Sequence, residues 1–245
     1  MTDDDLRLTM SSAMSDAANY HRYQWDLFSG LLGRRVVEIG PGFGQYTRRM
    51  LDSGRAVFAC DLDQRHLDDL HQTISSEALR SRQLDLQNPG SAKDVLQEFK
   101  PDTVILLNVL EHIQNDQSAL EFLRSVVTDD GRLILLVPSH QWLYNGLDQQ
   151  AGHFRRYTRH TLQQTAKAAG WQPVGCRYVN APGIPGWFIA GLMSRVFSPR
   201  EQLDAGSTNA LVRLYDRWFT GLSRAADPLF GRLCGLSVFL HCEAT

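Results

Sequence analysis

Short apolar runs alternate with segments of helical periodicity through the middle of the chain. The runs cover residues 34–39, 56–60, 81–85, 103–107 and 132–137, and we predict a strand at each of them. The segments between them carry apolar residues at every third or fourth position, which indicates helices. Strands that alternate with helices predict a parallel sheet with right-handed crossover connections.

The last third of the chain has a different pattern. Thr158 is placed to cap a helix that runs to about Ala169, and further strands are predicted at 172–179 and 235–242. The segment between these strands is rich in aromatic and small residues, and we predict that it forms a helical cap over the carboxyl edge of the sheet. An apolar stripe at helical spacing lies within it: Leu211, Leu214, Trp218 and Leu222.

Composition places the chain among ordinary globular proteins. Of its 245 residues 43% are hydrophobic and 21% are charged, and the formal net charge of -2 disfavours a general nucleic-acid binder. The four cysteines have no paired spacing and the N-terminus carries no secretory signal, so we expect a cytoplasmic location. The longest uncharged stretch, 178–194, is too short to span a bilayer, although it could contact one.

A glycine-rich turn follows the first predicted strand, where residues 38–44 have the sequence EIGPGFG. Its glycines allow a sharp turn and a close approach of the backbone to a ligand. Asp61 ends the second strand, where a carboxylate can accept hydrogen bonds from both hydroxyls of a ribose. Asp85 and Asn108 end the third and fourth strands. The sequence therefore predicts a pocket for a cofactor that contains a nucleoside.

The turn differs from the dinucleotide fingerprint G-x-G-x-x-G, because Gln45 stands at the third glycine position. Glu38 also precedes the turn, and a pyrophosphate gains nothing from a nearby carboxylate. A cationic ligand fits Glu38 better. A nicotinamide-dependent oxidoreductase stays open as the alternative enzyme class, and a non-catalytic binding protein stays open beside it.

Residues 38–44 resemble the first motif of the class I S-adenosylmethionine (SAM)-dependent methyltransferases. The similarity continues through 59–63, 84–86, 108–113 and 129–133 and covers about residues 30 to 180. The resemblance implies an α/β Rossmann-like fold with a seven-stranded, mostly parallel sheet of order 3-2-1-4-5-7-6 and helices on both faces. It also implies SAM as the methyl donor and S-adenosylhomocysteine as the product. The two late strands fit the last two positions of that sheet.

The resemblance further implies how the cofactor is held. The turn glycines would face the methionine and ribose parts, Asp61 the ribose hydroxyls, Asp85 the adenine amino group and Asn108 the methionine side. Glu38 would act through ordered water or the amides of the turn. Tyr20 lies on an N-terminal helix that would close over the methionine end. The implied cofactor-binding residues are Glu38, Gly40, Pro41, Gly42, Gly44, Asp61, Leu62, Asp85, Leu86, Asn108 and Tyr20.

We therefore expect four parts along the chain. Residues 1–33 form the helical segment over the cofactor and 34–180 the SAM-binding core. Residues 181–234 form the helical cap, and 235–245 return as the last strand of the core sheet.

His112 follows the fourth strand and comes next to Glu111. Three roles stay open for it: a base or substrate-orienting group, a metal ligand, or only a stabilising part of the loop. The other histidines have no zinc-ligand spacing, so we assign no metal site, and the metal dependence stays open.

His153 lies in the segment 148–158, DQQAGHFRRYT, which resembles a Gly-His-x-Arg-Arg-Tyr segment of a bacterial methyltransferase subgroup linked to glycan or secondary metabolism. We predict His153 as the first choice for the catalytic base, with His112 and Tyr157 as further catalytic residues. The alternative is a structural loop in which Arg155 or Arg156 pairs with Asp148.

The cap is expected to contact the methyl acceptor. Apolar residues beside arginines favour an amphipathic, anionic acceptor, either a small molecule or one linked to a lipid or carrier, and methylation at O, N or C stays open. The apolar surface could instead contact a membrane or a second copy in a homodimer. Nucleic acid is not expected as the acceptor. The predicted substrate-binding residues are Arg155, Arg156, Trp187 and Trp218.

Overall fold

The computed structural model describes residues 17–90, 92–196, 216–217 and 220–244. Its strands are β1 (Arg35–Ile39), β2 (Ala56–Asp61), β3 (Leu79–Gln83), β4 (Thr103–Leu107), β5 (Arg132–Pro138), β6 (Trp171–Val179) and β7 (Ser237–Ala244). Within the described ranges these form one seven-stranded sheet of order β3-β2-β1-β4-β5-β7-β6. The strands β3, β2, β1, β4 and β5 are parallel to one another, and β7 is antiparallel to β5 and β6. The predicted sheet order is confirmed.

Helices lie between the strands as the alternating pattern predicts. They are α1 (Ala18–Phe28), α2 (Gln45–Asp52), α3 (Gln64–Thr73), α4 (Ala92–Phe99), α5 (Asp116–Val126), α6 (Gly146–Ala151), α7 (Arg159–Ala168), α8 (Gly183–Val196) and α9 (Thr220–Phe230). The predicted cap of α7 is confirmed, since the Thr158 side chain accepts a hydrogen bond from the backbone N–H of Thr161 at 3.1 Å.

Both faces of the sheet are covered, and its central strands are mostly apolar. In β4, Val104 and Leu106 pack into one hydrophobic cluster and Ile105 into the other, and all three are 0% exposed. A strand that is buried on both faces appears as a continuous apolar run. The bounds of β4 are therefore those predicted from the sequence.

The third strand begins and ends two residues earlier than the sequence predicts. Leu79 pairs with Val57, and Asp85 lies in the loop after the strand, where its Oδ1 accepts a hydrogen bond from Gln87 N at 2.8 Å. Leu84 and Leu86 are buried although they lie outside the strand. Leu84 and Leu86 alternate with polar residues as strand residues do, so the predicted strand was placed too late in the chain.

The helices α8 and α9 occupy the predicted cap segment. Of the predicted apolar stripe, Leu211, Leu214 and Trp218 lie outside the described residues, and Leu222 is 53% exposed. Among the described residues, no helix combines the length and the apolar character that crossing a membrane requires.

Polar contacts join α9 to the N-terminal helix α1 and to the end of β6. The hydroxyl of Tyr23 on α1 donates to Asp227 on α9, and the backbone N–H of Asn180 donates to the same carboxylate at 2.9 Å. Arg224 forms an ion pair with Asp26 at 2.7 Å. These contacts hold the described part of the cap against the helix that was predicted to close over the cofactor.

Candidate active site

The glycine-rich turn leaves β1 at the carboxyl edge of the sheet and opens α2. Gly40, Gly42 and Gly44 have φ angles of 71°, 54° and 74°, which residues other than glycine rarely adopt. A Cβ on Gly44 would lie 2.4 Å from Leu70 Cδ1, whereas a Cβ on Gly42 would have no atom within 4 Å. The tip of the turn therefore faces open space, where its backbone can approach a ligand.

Glu38 lies beneath this turn and is buried, with 3% of its surface exposed. Its Oε2 accepts a hydrogen bond from the Thr47 hydroxyl at 2.5 Å. Burial raises the pKa of Glu38 to about 7, and the hydrogen bond from Thr47 offsets part of that shift. A cationic ligand above the turn would favour the ionised form of this carboxyl, which fits the sequence argument for a positively charged ligand.

Replacing Glu38 with glutamine is expected to remove a pH-dependent loss of stability in the ligand-free protein. The folded-state pKa of about 7 exceeds the ordinary value of 4.5, so the folded form holds the proton more tightly than the unfolded form. The stabilisation is complete below pH 4.5 and is lost as the pH rises through 7. Urea unfolding of wild type and Glu38→Gln should diverge in favour of the variant by about 3 kcal/mol between pH 5 and pH 8.

The control for this comparison is Glu98→Gln, at an exposed position on α4. Its unfolding free energy is expected to follow wild type at both pH values. A parallel pH dependence in wild type and Glu38→Gln would contradict the raised pKa.

The second strand places Asp61 next to the glycine turn, because Cys60 pairs with Ile39 in the parallel register. Asp61 Oδ1 accepts a hydrogen bond from Asp63 N at 2.9 Å and lies 3.3 Å from His66 Nδ1. The contact with the Asp61 carboxylate, which accepts from the imidazole, raises the pKa of His66, against the opposing effect of burial. Both contacts use Oδ1 and leave Oδ2 without a hydrogen bond to either group.

The remaining predicted cofactor residues lie along the same edge. Asp85 follows β3, and Leu86 beside it is 7% exposed, whereas Leu62 after β2 is 66% exposed. Asn108 follows β4 with a φ of 55° and donates its backbone N–H to Leu136 O at 2.7 Å. Pro41 is buried within the turn. All of these positions follow parallel strands whose carboxyl ends lie at this edge of the sheet.

The N-terminal helix α1 is fastened to α2 by contacts that the sequence does not reveal. His21 Nδ1 lies 3.0 Å from the Tyr46 hydroxyl, which also donates to Gln24. Tyr20 packs on Tyr23 with ring centroids 6.1 Å apart. The helix predicted to close over the cofactor is thus tied to the helix that the glycine turn opens.

A second group of side chains lies at the same carboxyl edge of the sheet, after β4 and β5. Glu111, His112 and His153 each offer one metal-ligand-type atom, and these atoms all lie within 4.8 Å of one another. We call these three residues the histidine cluster. The rings of His112 and His153 are nearly perpendicular, with centroids 4.6 Å apart.

Asp148 holds one member of the histidine cluster in place. His153 Nδ1 lies 2.8 Å from Asp148 Oδ1, and Asp148 is 0% exposed. Asp148 also accepts hydrogen bonds from Asn145 N and Arg156 Nε, each at 2.9 Å. Burial would raise the pKa of Asp148, but the contacts with His153, Arg156 and Asn145 outweigh it and lower the pKa. In the neutral imidazole, an ionised Asp148 favours the tautomer with the proton on Nδ1, and that tautomer has its lone pair on Nε2.

Glu111 is 1% exposed, and neither of its carboxylate oxygens has a hydrogen-bond partner among the described residues. Burial raises the pKa of Glu111 to about 8, a shift that the Arg156 charge partly offsets. A buried carboxyl with no hydrogen bond is costly, so its position beside two imidazoles needs a functional explanation.

The other predicted residues of this segment are engaged elsewhere. Tyr157 is 2% exposed, its hydroxyl donates to Asp116 Oδ2 at 2.8 Å, and burial raises its pKa. Arg155 pairs with Asp116 at 2.9 Å. Arg156 is 6% exposed and pairs with Asp148, which is the structural alternative that the sequence left open. These contacts do not support a catalytic role for Tyr157 or a substrate-binding role for the two arginines, because each polar group already bonds to an aspartate of the protein.

Of the two tryptophans predicted to bind substrate, the structure describes only one. Trp187 on α8 donates its indole N–H to Leu143 O at 3.2 Å, and the Arg156 guanidinium lies 4.7 Å from the centre of its ring. Trp187 therefore packs against the loop that carries Asp148 and His153. Trp218 lies outside the described residues.

Comparisons with known proteins agree with the fold. A protein-family profile described as a methyltransferase domain matches residues 17–175. The ubiquinone biosynthesis O-methyltransferase of Pseudomonas aeruginosa is 30% identical over 117 residues, a match that covers 46% of this chain and 49% of that protein. The chain thus spans about half the length of the curated relatives it matches.

Solved structures share the architecture at low identity. The 1,6-didemethyltoxoflavin-N1-methyltransferase of Burkholderia thailandensis, solved with S-adenosylhomocysteine, has a TM-score of 0.58 at 16% identity and covers 100% of this chain and 91% of its own. The phosphoethanolamine N-methyltransferase 2 of Haemonchus contortus, solved with SAM, has a TM-score of 0.58 at 15% identity and covers 87% and 49%. At this identity the likeness shows the fold.

Proposed function

The chain belongs to the class I SAM-dependent methyltransferases, and we propose that it methylates a hydroxyl oxygen of an acceptor held beside the histidine cluster. The observation that carries the proposal is the contact of 2.8 Å between His153 and the fully buried Asp148. This pair can remove a proton from an acceptor, and a hydroxyl is the acceptor group that gains most from losing one.

SAM is the cofactor, and when bound it supplies a methyl group on a positively charged sulfur. The residues at the edge of β1 and β2 fit this ligand. Gly42 faces open space at the tip of the turn, Asp61 has Oδ2 to accept from the ribose hydroxyls, and Glu38 offers a buried negative charge. We assign Asp85 and Leu86 to the adenine, Asn108 to the methionine side, and Tyr20 to closure of the pocket.

The chain's main contribution is to align acceptor and donor and to exclude water. Such positioning can account for about 7–11 kcal/mol of barrier reduction. A positioned base adds about 10²–10⁴-fold in rate. His153 is suited to that role because Asp148 holds its Nδ1, so Nε2 can accept the hydroxyl proton.

The acceptor class follows from the surface next to the histidine cluster. Helix α8 packs against the loop of His153 through Trp187, and its neighbouring side chains Phe188, Ile189 and Leu192 are 57%, 57% and 56% exposed. An apolar surface beside a polar reactive group suits an amphipathic acceptor, such as a phenol that carries an alkyl chain. The curated relatives named above are O-methyltransferases of ubiquinone biosynthesis, which supports the same choice of acceptor atom.

The test is transfer of an isotope-labelled methyl group from SAM to a panel of matched aromatic acceptors. Each acceptor carries the same alkyl chain and differs only in bearing a hydroxyl, an amine, a carboxylate or a methoxy group. We expect label on the hydroxyl compound and none on its methoxy counterpart. Transfer to the amine or carboxylate compound in preference to the hydroxyl compound would contradict O-methylation.

A further inference from the structure

We propose that Glu111, His112 and His153 form a binding site for a divalent metal ion, with zinc as the ion that fits this donor set. The inference deepens the proposed function, on which it rests, because the ion would sit where the acceptor hydroxyl is expected. It also names a metal site where the sequence assigned none and left the metal dependence open. Local spacing gave no reason to join His153 to a pair that lies some forty positions earlier in the printed chain.

The geometry brings together three ligand-type atoms from two separate loops, within 4.8 Å of one another. Neighbouring ligands of a tetrahedral zinc ion with bonds of about 2.0–2.1 Å lie about 3.3 Å apart. His112 is exposed and His153 is half-buried, so modest side-chain rotations can close the remaining distance. A site that needs only such rotations is largely preformed.

The buried carboxylate of Glu111 supplies the second, independent observation. Its two oxygens have no hydrogen-bond partner among the described residues, although the side chain is 1% exposed. Buried polar groups in proteins are normally hydrogen-bonded, and a buried carboxyl without such a partner is suited to coordinate a metal. A cation among Glu111, His112 and His153 would satisfy this carboxylate without any change of the backbone.

Asp148 prepares His153 as a ligand. Histidines that bind metals commonly donate their other ring N–H to a carboxylate or carbonyl, which fixes the ring and its tautomer. His153 makes this contact with the fully buried Asp148, whose position is in turn fixed by Asn145 and Arg156. The lone pair of His153 Nε2 is thereby left for a ligand.

Two imidazoles and one carboxylate favour zinc over magnesium, which prefers oxygen ligands. Three protein ligands also leave the fourth tetrahedral position open. The acceptor hydroxyl would take that position and release its proton to solvent. Its oxygen would then bond to the methyl carbon as the methyl–sulfur bond breaks, and the electron pair of that bond would stay on the sulfur of S-adenosylhomocysteine. In the ion-bound form His153 is a ligand, and the ion takes over the task of lowering the pKa of the hydroxyl.

The experiment is calorimetric titration of the full chain, freed of metal by chelation, with Zn²⁺ and separately with Mg²⁺. We expect one Zn²⁺ per chain at micromolar or tighter affinity and no saturable Mg²⁺ binding. Glu111→Gln, His112→Ala and His153→Ala should each weaken Zn²⁺ binding by about 100-fold or more. His71→Ala is the control, since His71 bonds Ser81 on the surface away from the cluster, and it should bind as wild type does.

Wild-type protein that takes up no stoichiometric Zn²⁺, or cluster variants that bind it as His71→Ala does, would overturn the proposal. Glu111→Gln keeps the size of the side chain. If a histidine variant fails to fold, the Zn²⁺ affinity of Glu111→Gln still tests the proposal. The readout is independent of methyl transfer. If the protein binds SAM but not zinc, only the metal site is contradicted. If it binds zinc but transfers no methyl group to a hydroxyl, only the proposed function is contradicted.

Discussion

Replacing His153 with alanine is expected to lower kcat for methyl transfer to a hydroxyl acceptor by about 10²–10⁴-fold. The variant loses the imidazole that Asp148 orients at 2.8 Å, and with it the group that accepts the proton or holds the ion. The Kd for SAM should stay within about twofold, because the glycine turn and Asp61 belong to other loops. The measurements are initial rates at saturating SAM and calorimetric titration of SAM with both proteins.

The control for His153→Ala is His160→Ala, which removes an exposed histidine on α7. Its kcat and its Kd for SAM are expected to match wild type. Unchanged turnover in His153→Ala would eliminate the residue from the chemistry, whether as base or as ligand. A loss of SAM binding equal to the loss of turnover would instead indicate that the loop of His153 supports the cofactor pocket.

The sheet could be predicted from the sequence because its pattern is local and repeated. The run at 103–107 is buried on both faces and has the predicted bounds, and Thr158 caps α7 through a single hydroxyl. The third strand shows the limit of that approach. Leu84 and Leu86 are apolar because they pack into the core from a loop, and periodicity does not distinguish such residues from a strand.

The proposed cofactor residues could be grouped from the sequence for a related reason. Parallel strands end at one edge of the sheet, so polar residues that follow separate strands must meet there. The attachment of α1 was not predictable, since His21 and Tyr46 come together only when a helix before β1 packs on the helix after it.

The acceptor side was only partly predictable from the sequence. His112 and His153 could be singled out because they follow strands. The sequence pattern did not show which side chains bond to Asp148. That carboxylate lies in the first turn of α6 and closes a capping box with Asn145, while it also pairs with Arg156 and His153. We predicted Tyr157 as catalytic because it follows His153 and the two arginines in the chain. Its side chain is buried, and its hydroxyl donates to Asp116. Side-chain direction on a loop depends on packing, which the sequence pattern does not contain.

The second large effect concerns Asp61, whose carboxylate we assign to the ribose hydroxyls of SAM. A hydrogen bond to a charged group contributes about 1.5–3 kcal/mol, and two bonds that share one carboxylate are less than additive, so losing the pair in Asp61→Ala should weaken SAM binding by about 2–4 kcal/mol. This corresponds to a Kd that rises roughly 30- to 1000-fold. Asp69→Ala removes the same charge from an exposed position on α3 and serves as the control. Asp61 makes its protein contacts through Asp63 N and His66, and circular dichroism would confirm that the variant remains folded.

The account as a whole depends on SAM binding where the glycine turn meets the end of β2. Calorimetric titration of SAM into wild type, Asp61→Ala and Asp69→Ala tests this most directly. We predict one site per chain in wild type and Asp69→Ala and a Kd at least about 30-fold higher in Asp61→Ala. Equal affinity in all three proteins would place the cofactor elsewhere and contradict the account.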